Sequence, residues 1–402
     1  MSNYSIAMSP SRSTSNLVGI LLGILVFIRT MPCYLWSIED IIRPVCAVII
    51  LIICITNISK KKGTGWIFLC FACAYIWATV FVDHSGIVTI FNFLAFAFIP
   101  ILKKSTIDDA YSVFRRIFIF FIFLSLLNYA LYLIGVDTSI LTINPLNSLK
   151  DYKYVMHPFL VTVFGGIRFM SIYDEPGFVG TLCGLILIAE RMNLSKSGNI
   201  ILLIAGLIAL SLYFYVALIF GLMLFSKKMK HKWIYMVLFC IFVIATYNND
   251  FMYNTIWSRF EYNAVEGKFA GDNRSTSGID NLYDAVLGTP LYFTGLGSLA
   301  TEDLQGGASL KLVILKHGFI FVALNILGYA LLAFQQIPSK KDWLFFMIFF
   351  ILTLYQRPGL YGTYSIFMYT MLIYKFGDLS TTNENEAHIN HNQGKTNIGQ
   401  LK

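Results

Sequence analysis

The run 199-NIILLIAGLIALSLYFYVALIFGLMLF-225 decides the architecture of this chain. It holds 27 residues without a charge, and Lys227, Lys228, Lys230 and Lys232 follow at once. A membrane-crossing helix takes about 20 apolar residues, and clusters of lysine and arginine mark the cytoplasmic side. Other clusters sit at Lys60, Lys61 and Lys62, at Lys103, Lys104, Arg115 and Arg116, and at Lys340 and Lys341. One straight helix over 199–225 sends the Lys227 cluster to the wrong side. Two crossings bring every cluster to one side but leave about 13 residues for each, roughly 20 Å of helix. The spacing therefore predicts two short or broken helices meeting near Leu210 and Ser211. Irregular backbone at that depth is tolerated only where protein or a wet cavity surrounds it.

Working outward, further apolar runs occupy 17–31, 44–58, 65–82, 87–102, 117–135, 177–189, 233–247, 309–334, 343–355 and 359–376. The expected fold class is all-α: a polytopic integral membrane protein of about 12 transmembrane helices. Both termini lie on the cytoplasmic side. Residues 1–135 carry spans one to five, 177–248 spans six to nine, and 309–379 spans ten to twelve. Two large periplasmic loops, 136–176 and 249–308, separate them. The second holds eight acids against three bases, opposite to the cytoplasmic loops. Residues 380–402 are polar and low in complexity, and read as a disordered cytoplasmic tail that includes His388 and His391.

Composition agrees with this arrangement. Of 402 residues, 57% are apolar and 13% charged, about half the charge of an ordinary soluble domain. Thirty-five Phe and 23 Tyr exceed what a water-exposed surface tolerates. A disulfide scaffold, a disordered regulator and an ordinary soluble enzyme are thereby excluded. The net charge of +8 is an orientation signal rather than a nucleic-acid footprint. The first apolar run is too long for a cleaved leader and reads as an uncleaved span. Seven cysteines all fall in or beside apolar stretches. The Cys70/Cys73 pair has no second pair and no nearby His, so it reads as small buried hydrophobes rather than a metal site.

Five stretches are polar where lipid forbids it or glycine-rich where a helix avoids it. The first is 165-GGIRFMSIYDEPG-177, entering the sixth span with Arg168, Asp174 and Glu175 close to the outer face. Pro176 suits a first helical turn and the acids suit its positive end, so a helix cap with an interfacial arginine accounts for it as well. The second and third are Arg259-Phe-Glu-Tyr and Gly271-Asp-Asn-Arg274 on the acidic outer loop, where arginine is not needed for orientation. The fourth, Thr294-Gly295-Leu296-Gly297-Ser298, follows no strand and reads as a turn. The fifth is the hairpin Tyr355-Gln356-Arg357-Pro358-Gly359 between the last two spans. Arginine there either snorkels or meets an anion. His317 in the tenth span is a further candidate, with helix packing as the plain reading. No serine–histidine–acid order, phosphate loop or metal-ligand set accompanies these residues. Arginine forks match phosphate oxygens bidentately. Their gathering at one face points to a membrane-borne phosphate or diphosphate, with carboxylates nearby to move a proton.

These residues also carry a resemblance. IRFMSIYDEPGFVG is similar to the arginine-to-Glu-Pro segment of O-antigen polymerases of the Wzy type. DNRSTSGIDNLYDAVLGTPLYFTGLGS resembles their large outer loop, and SLKLVILKHGFIFVALNILGY the helix that follows it. The Gln356-Arg357-Pro358 hairpin recurs in such proteins. The resemblance covers most of the chain from about residue 115. It implies a membrane glycosyltransferase of the embedded C class in the bacterial inner membrane. Its site faces the periplasm and needs no metal or cofactor. Such an enzyme moves a growing chain en bloc from undecaprenyl diphosphate onto the next lipid-linked oligosaccharide, with inversion. Glu175 is then the candidate base, with Asp174 second; Glu175 alternatively only orients Arg168. Arg168, Arg274 and Arg357 hold diphosphate oxygens, with Arg259 after them. A flippase and a chain-length regulator are the partners implied. Two rival readings remain. An O-antigen ligase shares the architecture but usually carries a histidine where this chain has Gly306-Gly307-Ala308-Ser309. A polysaccharide-unit flippase tends to show internal repeats, which this sequence lacks.

Overall fold

The computed structural model describes residues 17–82, 95–143, 153–163, 168–225, 232–250, 253, 257–258, 261–263, 268–269, 275–297, 309–360 and 362–378. It is mostly helical. In chain order the long helices are α1 (Leu17–Ile28), α2 (Glu39–Thr56), α3 (Thr64–Ile76, continuing as a π-helix over Trp77–Val82) and α4 (Lys104–Leu133). Next come α5 (Pro176–Ala189), α6 (Asn199–Ile208), α7 (Leu212–Phe225) and α8 (Lys232–Tyr247). Two short helices, α9 (Ser277–Val286) and α10 (Pro290–Thr294), precede α11 (Leu310–Gln336), α12 (Lys340–Gln356) and α13 (363–378). Two of these, α4 and α11, are long and apolar enough to cross a membrane by length and composition.

The long apolar run is interrupted where its length requires. Helix α6 ends at Ile208, Leu210 takes a left-handed backbone with φ +51°, and α7 begins at Leu212. Most other runs are helical near their expected bounds. Helix α4 starts 13 residues before its apolar run, because Lys104–Arg116 continues the helix as a charged extension. The expected fourth span, 87–102, lies largely outside the described residues, apart from helix over 95–98 and a 3-10 turn at Ile99–Ile101.

Small residues set the closest helix contacts. Gly19 and Gly23 of α1 are four apart, and a Cβ on either would lie 2.5 Å from Asp109 Cβ or 2.4 Å from the Ala110 carbonyl of α4. Phe27 continues the seam onto Phe114 and Phe121, with ring centroids 6.3 and 5.3 Å away. Gly180 and Gly184 of α5 repeat the spacing against Ser211 and Ala217. Such small-residue pairs let helix backbones approach where van der Waals packing drives association. Helix α3 runs antiparallel to α11: Phe71 meets Tyr329 and Tyr75 meets Phe321.

The helix ends sort into two polar layers. At one, Lys61 reaches Gln336 at 2.8 Å, Lys375 reaches Asp108 at 2.7 Å, and Lys104 pairs with Asp378. There too, Glu190 is buried between Tyr111, Arg115 and Lys196. At the other, Arg29 meets Thr363 at 3.1 Å, Thr30 meets Tyr173 at 3.1 Å, and Tyr34 donates to the His157 carbonyl at 2.6 Å.

Within the mostly helical fold, this second end carries a small sheet that the all-α expectation did not include. Strands β1 (Leu141–Ile143), β2 (Tyr154–His157) and β3 (Leu160–Val163) form an antiparallel sheet of order β1-β2-β3. Met156 pairs with Leu141 and Val161, and Val155 with Thr142 and Thr162. The β-branched residues of 160–163 suit a half-buried sheet, but the strands are too short to stand out against long apolar helices. A second, two-residue pairing joins β4 (Tyr262–Asn263) to β5 (Lys268–Phe269).

Candidate functional site

Helix α5 opens on Glu175-Pro176-Gly177. Pro176 takes the first helical position, where no N–H is needed. Glu175 precedes it in extended backbone, so its carboxylate stands at the positive end of the helix. Opposite, α12 ends and the chain reverses in successive tight turns. The Arg357 N–H donates to the Thr353 carbonyl at 2.7 Å, Gly359 to Arg357 at 2.7 Å, and Leu360 to Pro358 at 2.9 Å. The Tyr75 hydroxyl ties down the Leu360 carbonyl at 2.8 Å.

This reversal aims Arg357 at α5. Its Nη1 donates to Glu175 Oε2 at 2.7 Å and its Nη2 to Oε1 at 2.6 Å, a two-pronged pair. The arginine side chain is 18% exposed and the glutamate 46%, so a largely covered cation grips a half-open carboxylate. A further donor, Nε–H, is buried and has no hydrogen-bond partner among the described residues. Burial acts to lower the guanidinium's pKa, but Glu175 more than offsets it and the value lies above the ordinary one. Arg357 is therefore charged at every physiological pH.

Aromatic rings wall this pair. Phe178 lies 4.8 Å from Tyr364 and 4.6 Å from Tyr173, centroid to centroid. Asp174 is exposed beside Glu175, and the Tyr154 hydroxyl of β2 donates to its backbone carbonyl at 3.4 Å. A Cβ at 177 would lie 1.8 Å from Arg357 Nη2, so any larger residue there displaces the guanidinium from its place against the helix.

Arg168 meets the broken helix instead. Its Nη2 donates to the Leu210 carbonyl at 2.9 Å and reaches that of Ala209 at 3.5 Å. The neighbouring Phe169 N–H reaches the Ile208 carbonyl at 3.4 Å. Carbonyls at a helix end have no intrahelical donor, and these two residues supply one. Ser211, next to Leu210, packs on Gly180 of α5. Gly180 lies one turn from Gly177, about 5 Å along the helix. The break that Arg168 meets thus packs on α5 through Ser211, one turn along from the glycine against which Arg357 lies.

The other sequence candidates separate from this cluster or fall outside it. His317 stands on α11 with its ring 5.1 Å from Phe321, just before Gly318, whose φ of 82° breaks the helix. The turn of Gly295 docks there: the Leu296 N–H donates to the Leu315 carbonyl at 2.7 Å. A Cβ on Gly318 would lie 2.2 Å from the Phe293 carbonyl oxygen. The glycine-rich stretch and the histidine are therefore parts of one backbone contact. Arg259, Arg274, Ser298 and the tail with His388 and His391 lie outside the described residues. Among the described residues, no three His, Cys, Asp or Glu side chains gather in a metal-holding group.

Sequence reasoning did not single out Arg29. Its Nε donates to Thr363 and its Nη1 to the Arg43 carbonyl at 2.9 Å, and its guanidinium lies 5.7 Å from the Phe96 ring centre. The available signal was its isolation as the one charge between Leu17 and Ile38. A fork that holds a carboxylate by two parallel N–H bonds has the shape for phosphate oxygens also. No protein-family model, no curated protein and no solved structure matches this chain.

Proposed function

We propose that the protein is a polytopic glycosyltransferase of the bacterial inner membrane that polymerises undecaprenyl-diphosphate-linked oligosaccharides, as its resemblance to O-antigen polymerases implies. The observation that carries this reading is the Arg357–Glu175 fork with its buried Nε–H, unanswered among the described residues. Membrane embedding is supported by outward apolar stripes. Ile41, Val45, Val48, Ile52 and Ile55 line the exposed side of α2, and Phe120, Phe123, Leu127 and Leu131 that of α4. Apolar surface so continuous is rare on a soluble monomer. In this reading the lysine-rich layer faces the cytoplasm, and the layer holding Arg357 faces the periplasm.

The pair explains how one site serves as both clamp and base. With no substrate, both oxygens of Glu175 are occupied by Arg357. An incoming diphosphate, carrying more negative charge, takes over the fork and gives Nε–H an acceptor. Glu175 is then free to accept the proton of the acceptor sugar's hydroxyl. That oxygen attacks the anomeric carbon of the growing chain, and the carbon–oxygen bond to the diphosphate breaks. The electron pair leaves on undecaprenyl diphosphate, where arginine donors stabilise it by roughly 2.7–4 kcal/mol for each well-placed donor. A single displacement inverts the anomeric centre.

Purified protein in vesicles, given lipid-linked repeats, is expected to yield a ladder of elongated products. Glu175→Gln and Arg357→Lys are expected to abolish it. Loss of the gene is expected to leave lipopolysaccharide core bearing one repeat; bare core would assign the ligase activity instead. No ladder from folded wild-type protein overturns the proposal.

A further inference from the structure

The three-stranded sheet at the end holding Arg357 is two-faced. Leu141, Met156 and Val161 pair across one face, with Tyr154 beside them, and Tyr154, Met156 and Val161 are buried. Thr142 and Thr162 flank Val155 on the other face. That face, together with Tyr132 of α4 and the following Asp137 and Ser139, walls a cleft of about 420 Å³. The volume falls within the range of small-ligand sites.

The cleft is built rather than incidental. His157 forms its floor, with Nδ1 3.0 Å from the Thr138 hydroxyl and Nε2 3.0 Å from that of Thr162. Burial holds this histidine below its ordinary pKa, so the ring is neutral at pH 7. Tyr132 stands edge-on to it, with ring centroids 5.6 Å apart. Asp137 accepts from the Ser139 N–H at 2.9 Å, a bond that holds its carboxyl below the usual range and keeps it ionised. The Tyr34 hydroxyl fixes the β2–β3 turn from beneath, accepting from the Phe159 N–H at 2.7 Å and donating to the His157 carbonyl.

The chemistry of the walls selects the ligand. A phosphate or an acidic sugar is repelled by Asp137, and among the described residues no lysine or arginine lines the cleft. A lipid chain would leave the hydroxyls of Ser139 and Thr142 without partners, which is costly. An uncharged sugar ring meets both demands. Its C–H face lies on an aromatic ring, and its hydroxyls donate to a carboxylate and exchange bonds with serine and threonine. The position fits as well. Tyr154, which contacts Asp174, is three residues before His157 on β2, about 10 Å along the strand.

We infer that this cleft is a saccharide subsite, holding an uncharged sugar unit of the oligosaccharide a short distance from the unit that reacts at Glu175. The inference rests on the proposed transfer reaction for its biological ligand, but the cleft is testable by itself. Saturation-transfer NMR of the full chain in nanodiscs would use methyl glycosides of hexoses, 6-deoxyhexoses and N-acetylhexosamines as probes. At least one is expected to receive saturation. Thr142→Trp, which fills the cleft from β1, is expected to abolish it, and Ser139→Trp, which fills it from the loop, provides a second block should the first misfold. Asp137→Asn is expected to weaken binding by roughly tenfold, as for loss of a charged hydrogen bond. No transfer to any glycoside, or transfer that survives both tryptophan variants, overturns the inference. Geranyl diphosphate binding, measured on the same preparations, separates the two proposals. If it fails while the glycosides bind, the diphosphate transferase reading falls and the saccharide site stands.

Discussion

Gly177 and Arg357 are in closest possible register: a single carbon added to the glycine would lie 1.8 Å from the arginine's Nη2. The bare Cα lets the guanidinium lie against the first turn of α5 while both prongs reach Glu175. Gly177→Ala should therefore push the fork aside without harming the helix, since alanine is favoured over glycine there by up to about 1 kcal/mol. The expected outcome is an unchanged or raised thermal midpoint with the proposed polymerisation slowed on the order of 100-fold, the scale of a 1 Å misplacement. Full activity in a folded Gly177→Ala protein would remove Arg357 from the site.

Gly180 makes the corresponding contact one turn further on, where a Cβ would lie 2.4 Å from Ser211 Cβ at the break between α6 and α7. Gly180→Val should overpack that seam and destabilise the protein by about 1–3 kcal/mol. Gly65, which has no atom within 4 Å of its would-be Cβ, is the control. Gly65→Ala is expected to accumulate like the wild type. Equal accumulation and equal thermal midpoints for the two variants would contradict the close approach.

Arg168 supplies a charged donor to the Leu210 carbonyl, and such bonds contribute about 1.5–3 kcal/mol. Arg168→Met is expected to lower the thermal midpoint, with Arg168→Lys recovering part of the loss. A melting curve for Arg168→Met that superimposes on the wild type would mean that the guanidinium does not hold the break.

The membrane reading assigns Lys61 and Ser139 to opposite sides. Single cysteines at these positions, in a background lacking the native seven, report it with an impermeant maleimide. Ser139→Cys should label in cells whose outer membrane alone is opened, and Lys61→Cys only after lysis. Cys33 should stay unlabelled even as the wild-type residue, because burial pushes its thiol up to about 12. Labelling of Lys61→Cys from outside would invert the topology.

His157 makes the sheet sensitive to acid. Its pKa in the fold lies below the ordinary 6.5, so the unfolded chain binds the proton more readily. Stability is fully present above 6.5 and falls as the pH drops below it. Limited proteolysis within 136–176 should accelerate between pH 7 and pH 5 in the wild type, and the slope should flatten in His157→Gln. A steeper slope in the variant would assign the acid sensitivity to another group.

The sequence by itself determined most of the long helices and where the run 199–225 must break, but not the short helices α9 and α10 within the expected loop. Hydropathy and helix-start signals are local, so 199–225 announced its own interruption and Glu175-Pro176-Gly177 its own helix end. It also brought Arg168, Glu175 and Arg357 forward as residues too polar for their surroundings. Only the tertiary structure decided which of them meet. Glu175 is held by Arg357, 182 positions away, while Arg168 turns to the backbone of Leu210. The three-stranded sheet, its cleft and the role of Arg29 were likewise invisible. A partner is chosen by how helix ends pack against one another, and nothing in the hydropathy of either segment encodes that choice.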